Sequence, residues 1–183
     1  MAPYSSAKLQ TRDMAYIALM AVVIAICSWI SIPMTVPFTM QTFAMFMAVG
    51  LLGGKRGTLS VLVFILLGAI GIPVFSGFKG GIGVLFGTTG GYILGFLGSA
   101  LLYWLLTHLF GEKKFVCIAA MVLGLLLCYA FGTAWFMILY ARQSGPIGVG
   151  TALGWCVIPF VIPDLCKMAL AIVLSNILKK HIK

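Results

Sequence analysis

The chain has 183 residues, of which 62% are hydrophobic and 8% charged, with a formal net charge of +9. So few polar groups cannot cover a water-soluble globule, and the composition specifies an integral membrane protein. It also excludes a soluble nucleotide-binding domain, and the phosphate-cradling pattern G-x-x-x-x-G-K-[ST] is absent, so ATP-driven work would need another chain to bind the ATP.

A hydrocarbon layer about 30 Å thick takes roughly 20 apolar residues per crossing. Breaks in the chain mark six candidate spans, all helical because lipid leaves no open sheet satisfied. The first, 14–32, follows Lys8 and Arg12 and ends without a small-residue cleavage pattern, so it reads as a retained helix and not a removed signal. Ala18, Ala21 and Ala25 share one of its faces. Small residues let another helix approach closely, either a partner protein or a neighbour in the same bundle.

Spans two and three, 39–52 and 58–72, are short for full crossings. The breaks beside them are rich in Pro and Gly and poor in charge, which predicts irregular backbone partly at membrane depth. The uncharged stretch 31–40 has the composition of a lid. After span three, Gly83, Gly87, Gly91 and Gly95 recur every four residues. The Gly91 to Gly95 half suits close helix packing. The 80–90 half, with Gly-Thr-Thr-Gly-Gly, suits irregular backbone that lines a cavity and offers N–H groups. Lys79 just ahead is either an outer cation for an acidic ligand or a solvated loop residue.

Spans four and five are 91–110 and 115–141, and span six is 150–178. With both termini inside, the inner side collects Lys8, Arg12, Lys55, Arg56, Lys113, Lys114, Lys179, Lys180 and Lys183, against Lys79 and Arg142 outside. That asymmetry follows the positive-inside rule, so the net charge reports orientation and not a nucleic-acid partner. Asp13 and Glu112 fall among the inner basic residues, where solvated charge compensation is expected. His108 and His181 share no ligand spacing, and Cys27, Cys117, Cys128, Cys156 and Cys166 form no C-x-x-C pair. Neither a metal site nor enzyme chemistry is expected, and no cofactor is implied. No repeat or polar linker divides residues 1–183, which read as one membrane-embedded domain.

Asp164 and Lys167 are the ionisable pair inside a span, and such groups mark a site or pathway because their burial is expensive. A spacing of three sets them on one helix face. They either neutralise each other or clamp a ligand, the carboxylate accepting N–H groups and the ammonium donating to a carbonyl. Pro163 just before them can start or kink a helix and so bring Asp164 to a helix amino end, where an anion is stabilised.

Two stretches, GIPVFSGFKGGIGVLFGTTGGYILGF at 71–96 and IPFVIPDLCKMALA at 158–171, resemble the BioY family, the biotin-specific S-components of energy-coupling factor transporters. The likeness runs over nearly the whole chain. Two backbone positions depart: Thr88 stands where many members have proline, and Pro163 where glycine often precedes the aspartate. The resemblance implies an all-α polytopic protein with six transmembrane helices and cytoplasmic termini in a prokaryotic cell membrane. It would capture biotin outside and hand it to a transmembrane coupling protein with two cytoplasmic ATPases. On this resemblance Asp164 would take the two ureido N–H groups and Lys167 the ureido carbonyl. The carboxylate tail would lie toward Gln41, the backbone of Thr88, Thr89, Gly90 and Gly91, Tyr92 and Lys79, and the apolar rings against Phe75, Phe78 and Trp135. Ala18, Ala21 and Ala25 would face the coupling protein. The competing reading is a self-contained ion-coupled carrier or channel in which Asp164 and Lys167 relay protons; an intramembrane enzyme has too few acids and histidines to work with.

Overall fold

The computed structural model describes residues 10–180; Lys8, His181 and Lys183 lie outside the described residues. Helix α1 (Thr11–Trp29) leads into a minimal hairpin of β1 (Ser31–Ile32) and β2 (Phe38–Thr39), paired antiparallel with Ser31 opposite Thr39. Then come α2 (Gln41–Ala69), a one-turn α3 (Ile82–Leu85), α4 (Gly90–Phe110), α5 (Lys114–Ser144), α6 (Val149–Cys156) and α7 (Ile158–Lys179). Among the described residues, five stretches are long and apolar enough to cross a membrane: α1, α2, α4, α5 and the combined Val149–Lys179.

The expected second and third spans are one 29-residue element broken at Gly53, where φ is +80° and ψ 176°. Only glycine takes that conformation readily. The chain folds back there: a Cβ at Gly57 would stand 2.6 Å from Val49 Cα, whereas eight residues of straight helix separate two points by about 12 Å. The first span ends earlier than expected, at Trp29, because 31–32 pairs in the hairpin and Pro33 disfavours helical backbone at residue 32. The sixth span is not continuous. Val157 leaves helical geometry (φ −126°, ψ −58°) and α7 restarts with proline in its first turn. That proline is Pro159, so Asp164 lies well inside α7 and not at its amino end. Pro163 is an interior proline that leaves the Pro159 carbonyl without its helical N–H partner.

α4 packs along α5, and α2 packs on α1, α4 and α7. Small residues permit the close approach. A side chain at Gly91 would strike Trp135, one at Gly95 would stand 2.9 Å from Cys128 Sγ, and one at Gly132 would enter the Tyr92 ring. Hydroxyls tie the helices where there is no water: Thr58 Oγ1 donates to the Ala100 carbonyl at 3.0 Å, and Ser99 Oγ to that of Gly124.

One end of the bundle gathers the basic residues. Arg56 pairs with Asp13 at 3.0 Å, Glu112 lies beside Gly53, and Ser175 near the end of α7 lies against Gly50. Asp13 is buried and not solvated as expected: it also accepts the Gln10 N–H and so caps α1. The opposite end carries the 31–39 hairpin and the 70–89 loops, with Lys79 among them.

Candidate ligand-binding site

A cavity of about 110 Å³ opens at this second end, between the hairpin, the amino end of α4, the middle of α5 and α7. Asp164 and Lys167, 3% and 6% exposed, form its polar floor. Lys167 Nζ stands 2.9 Å from Asp164 Oδ1, the helical spacing delivering both groups to one face. Burying such a pair stabilises nothing by itself unless the remaining hydrogen-bonding capacity is used. It is used: Lys167 Nζ donates to the Thr39 carbonyl at 2.7 Å, and Tyr129 donates its hydroxyl to Asp164 Oδ2 at 2.7 Å. The ammonium also lies 3.8 Å from the centroid of the Phe38 ring, a desolvated cation–π contact. With two of three N–H groups committed, one is left to the ring face or the cavity.

The walls are mostly apolar and aromatic. Phe75, Tyr92, Phe96 and Phe160 line the cavity, with Val36 from the hairpin and the thiols Cys128 and Cys156. Val36, Tyr92, Cys128, Phe136, Cys156 and Phe160 form a buried cluster, so the hairpin tip is seated on the bundle by apolar contact as well as by Lys167. Phe38 stacks on Phe160 with ring centroids 6.0 Å apart. A pocket that is largely apolar with a few converging polar groups is the usual form of a small-molecule site.

Of the residues singled out in the sequence, Asp164, Lys167, Gln41, Tyr92, Thr89 and Lys79 share this cavity. Tyr92 has its hydroxyl within hydrogen-bond distance of Thr133 Oγ1, 2.9 Å, and Lys79 is exposed at the rim. Thr88, Gly90 and Gly91 are not among the lining residues. The Gly90 N–H donates to the Gly87 carbonyl, and Gly91 is packed against Trp135. Phe75 lines the cavity, but Phe78 stacks on Trp29, and Trp135 donates its indole N–H to the Gly87 carbonyl instead. Phe78 holds a left-handed backbone (φ +56°), which aims its ring outward against Trp29. Ala21 and Ala25 are buried in the bundle, whereas Ala18 is exposed. Tyr129, Thr39, Phe38 and Phe160 escaped the sequence reading. Tyr129 alone carried a signal, as a hydroxyl-bearing ring in the apolar middle of a span.

The family model described as the BioY family matches residues 4–183. The chain belongs to the BioY family. A curated relative named biotin transporter BioY, from Thermotoga maritima, is 39% identical over 92% of this chain and 96% of its own length. A probable biotin transporter BioY from Pyrococcus horikoshii is 35% identical with the same coverage. Among solved structures, the S-component for biotin from an ECF-type ABC transporter superposes with a TM-score of 0.80 at 30% identity, covering 92% of this chain and 91% of that one. A BioY family member with this likeness is a multi-pass membrane protein of the transporter class, and the buried polar floor occupies the interior of that shared fold.

Proposed function

We propose that this BioY family chain is the biotin-capturing S-component of an ECF-type uptake transporter, and not an enzyme. The observation that carries the reading is the net-neutral, hydrogen-bonded Asp164–Lys167–Tyr129 set, with one Lys167 donor to spare, at the floor of an otherwise apolar cavity. A cyclic urea is a neutral group with two N–H donors and one carbonyl acceptor, and a carboxylate beside an ammonium complements both ends of it. Asp164 takes the N–H groups, and the remaining Lys167 donor takes the carbonyl. The ring system and aliphatic chain lie against Tyr92, Phe75 and Val36, and the carboxylate tail extends to the rim near Thr89, Gln41 and Lys79.

The chain crosses the cell membrane six times, because the fold-back at Gly53 makes two short crossings of α2. Both termini are cytoplasmic, since the basic end of the bundle then faces inward. Energy comes from a partner module, a transmembrane coupling protein with two ATPase subunits, for which the exposed Ala18 side of α1 supplies a contact.

Calorimetric titration of the purified chain with biotin tests the reading: saturable one-to-one binding is expected, and its absence overturns the assignment. Vesicles containing the chain alone should bind biotin without accumulating it along an ion gradient. Gradient-driven accumulation would establish a self-contained carrier instead.

A further inference from the structure

The polar floor has one member that the urea chemistry does not require. Tyr129, half-buried on α5, reaches across the cavity to Asp164 on α7, although α5 packs on α4 and α7 on α2. We propose that Tyr129 determines specificity: its hydroxyl sets Asp164 to receive a neutral cyclic urea and to reject a cationic cyclic guanidine. The inference rests on the biotin reading given above.

The carboxylate holds a net charge balanced by Lys167 on Oδ1, and a second donor, the phenol, on Oδ2. Two bonds to strong donors leave each oxygen with reduced capacity, enough for the weak N–H groups of a urea. A guanidinium in the same place adds a positive charge beside the Lys167 ammonium, where water is excluded and like-charge repulsion is poorly screened. Without the phenol, Oδ2 regains an acceptor position and more of its charge. A charged donor gains more from that than a neutral one, since charge-assisted hydrogen bonds are about twice as strong. Tyr129 thus withholds from Asp164 the strength with which it would hold a cation.

The probes are biotin and 2-iminobiotin, which differ at the one group in question, the latter carrying a protonated guanidine near neutral pH. Affinities for both are measured on the full chain by calorimetry. In the wild-type chain biotin is expected to bind far more tightly than 2-iminobiotin. Tyr129→Phe should narrow the ratio of the two affinities by about tenfold, while Tyr129→3-fluorotyrosine, a stronger donor of nearly the same shape, should hold or widen it. If Tyr129→Phe lowers both affinities together and leaves the ratio unchanged, Tyr129 is only a structural tie and the proposal is wrong. Should that variant fail to fold, the fluorinated chain decides, and a ratio narrowed by the stronger donor overturns the proposal. Absence of biotin binding by the wild-type chain is a separate outcome that removes the biotin reading and this inference with it.

Discussion

Asp164 and Lys167 show how a buried ion pair becomes useful. Each has its second partner from a different element, Tyr129 on α5 and the Thr39 carbonyl in the hairpin, so the pair joins three parts of the fold. Asp164→Asn replaces a carboxylate with an amide that accepts less strongly, and it leaves the Lys167 charge buried without its counter-ion. Breaking one partner of a buried pair costs about 3–5 kcal/mol. The melting temperature should therefore fall, and biotin affinity, which loses hydrogen bonds to a charged acceptor worth about 1.5–3 kcal/mol each, should fall by at least about tenfold, each tenfold being about 1.4 kcal/mol. Wild-type affinity in a folded Asp164→Asn chain would reduce the residue to a packing role. Lys167→Met removes the cation with little change in volume, so the Asp164→Asn, Lys167→Met double variant should recover thermal stability relative to Asp164→Asn alone. It should not recover biotin binding. Differential scanning calorimetry beside the titration separates the two effects.

Among the elements, the hairpin is the part whose position depends most on the site. Val36 is buried in the outer cluster, Phe38 stacks on Phe160, and the Thr39 carbonyl is held by Lys167. A cysteine at Val36, in a background lacking the five native cysteines, reports opening directly because the residue is shielded only while the hairpin is seated. Labelling by a bulky water-soluble maleimide is expected to slow when biotin saturates the chain, and to quicken in Lys167→Met with or without biotin. Equal rates in all of these states would mean that the hairpin is not gated by the ligand. The α4–α5 seam is governed by size. Gly91→Val drives a branched side chain into Trp135, and overpacking of this kind costs about 1–3 kcal/mol. That loss should appear as a lower melting temperature with the α-helical content retained.

At the scale of the whole molecule, the two ends of the bundle have different chemistry. One end gathers Arg56, Asp13 and the basic loops, and the other carries the cavity under an uncharged hairpin. Ala21 and Ala25 are buried in the bundle, so bulky residues there disturb this chain's own packing. Ala18 is the member of the stripe that stays exposed. Ala21→Leu should lower stability by about 1–3 kcal/mol. Ala18→Leu should leave melting temperature and biotin affinity unchanged and weaken co-purification with the coupling protein. If Ala18→Leu assembles normally, the exposed Ala18 side of α1 is not a partner contact.

Much of this protein was decided by composition and spacing alone. The membrane class and the mostly helical character follow from the hydrocarbon layer, which acts on each segment separately and so can be read locally. The Asp164–Lys167 pair was legible for the same reason, because a charge in an apolar run stands out without knowledge of its neighbours. What could not be read required contacts between segments distant in sequence. The break at Val157 moved the helix start to Ile158, with Pro159 and not Pro163 in the first turn, and left Asp164 inside α7. Tyr129 and Thr39 entered the site from 35 and 128 residues away. Ala21 and Ala25 turned inward and Ala18 outward because α2 came to lie on that side of α1. Periodicity places a residue on a face of its helix, but only the packing of the whole bundle decides what that face meets.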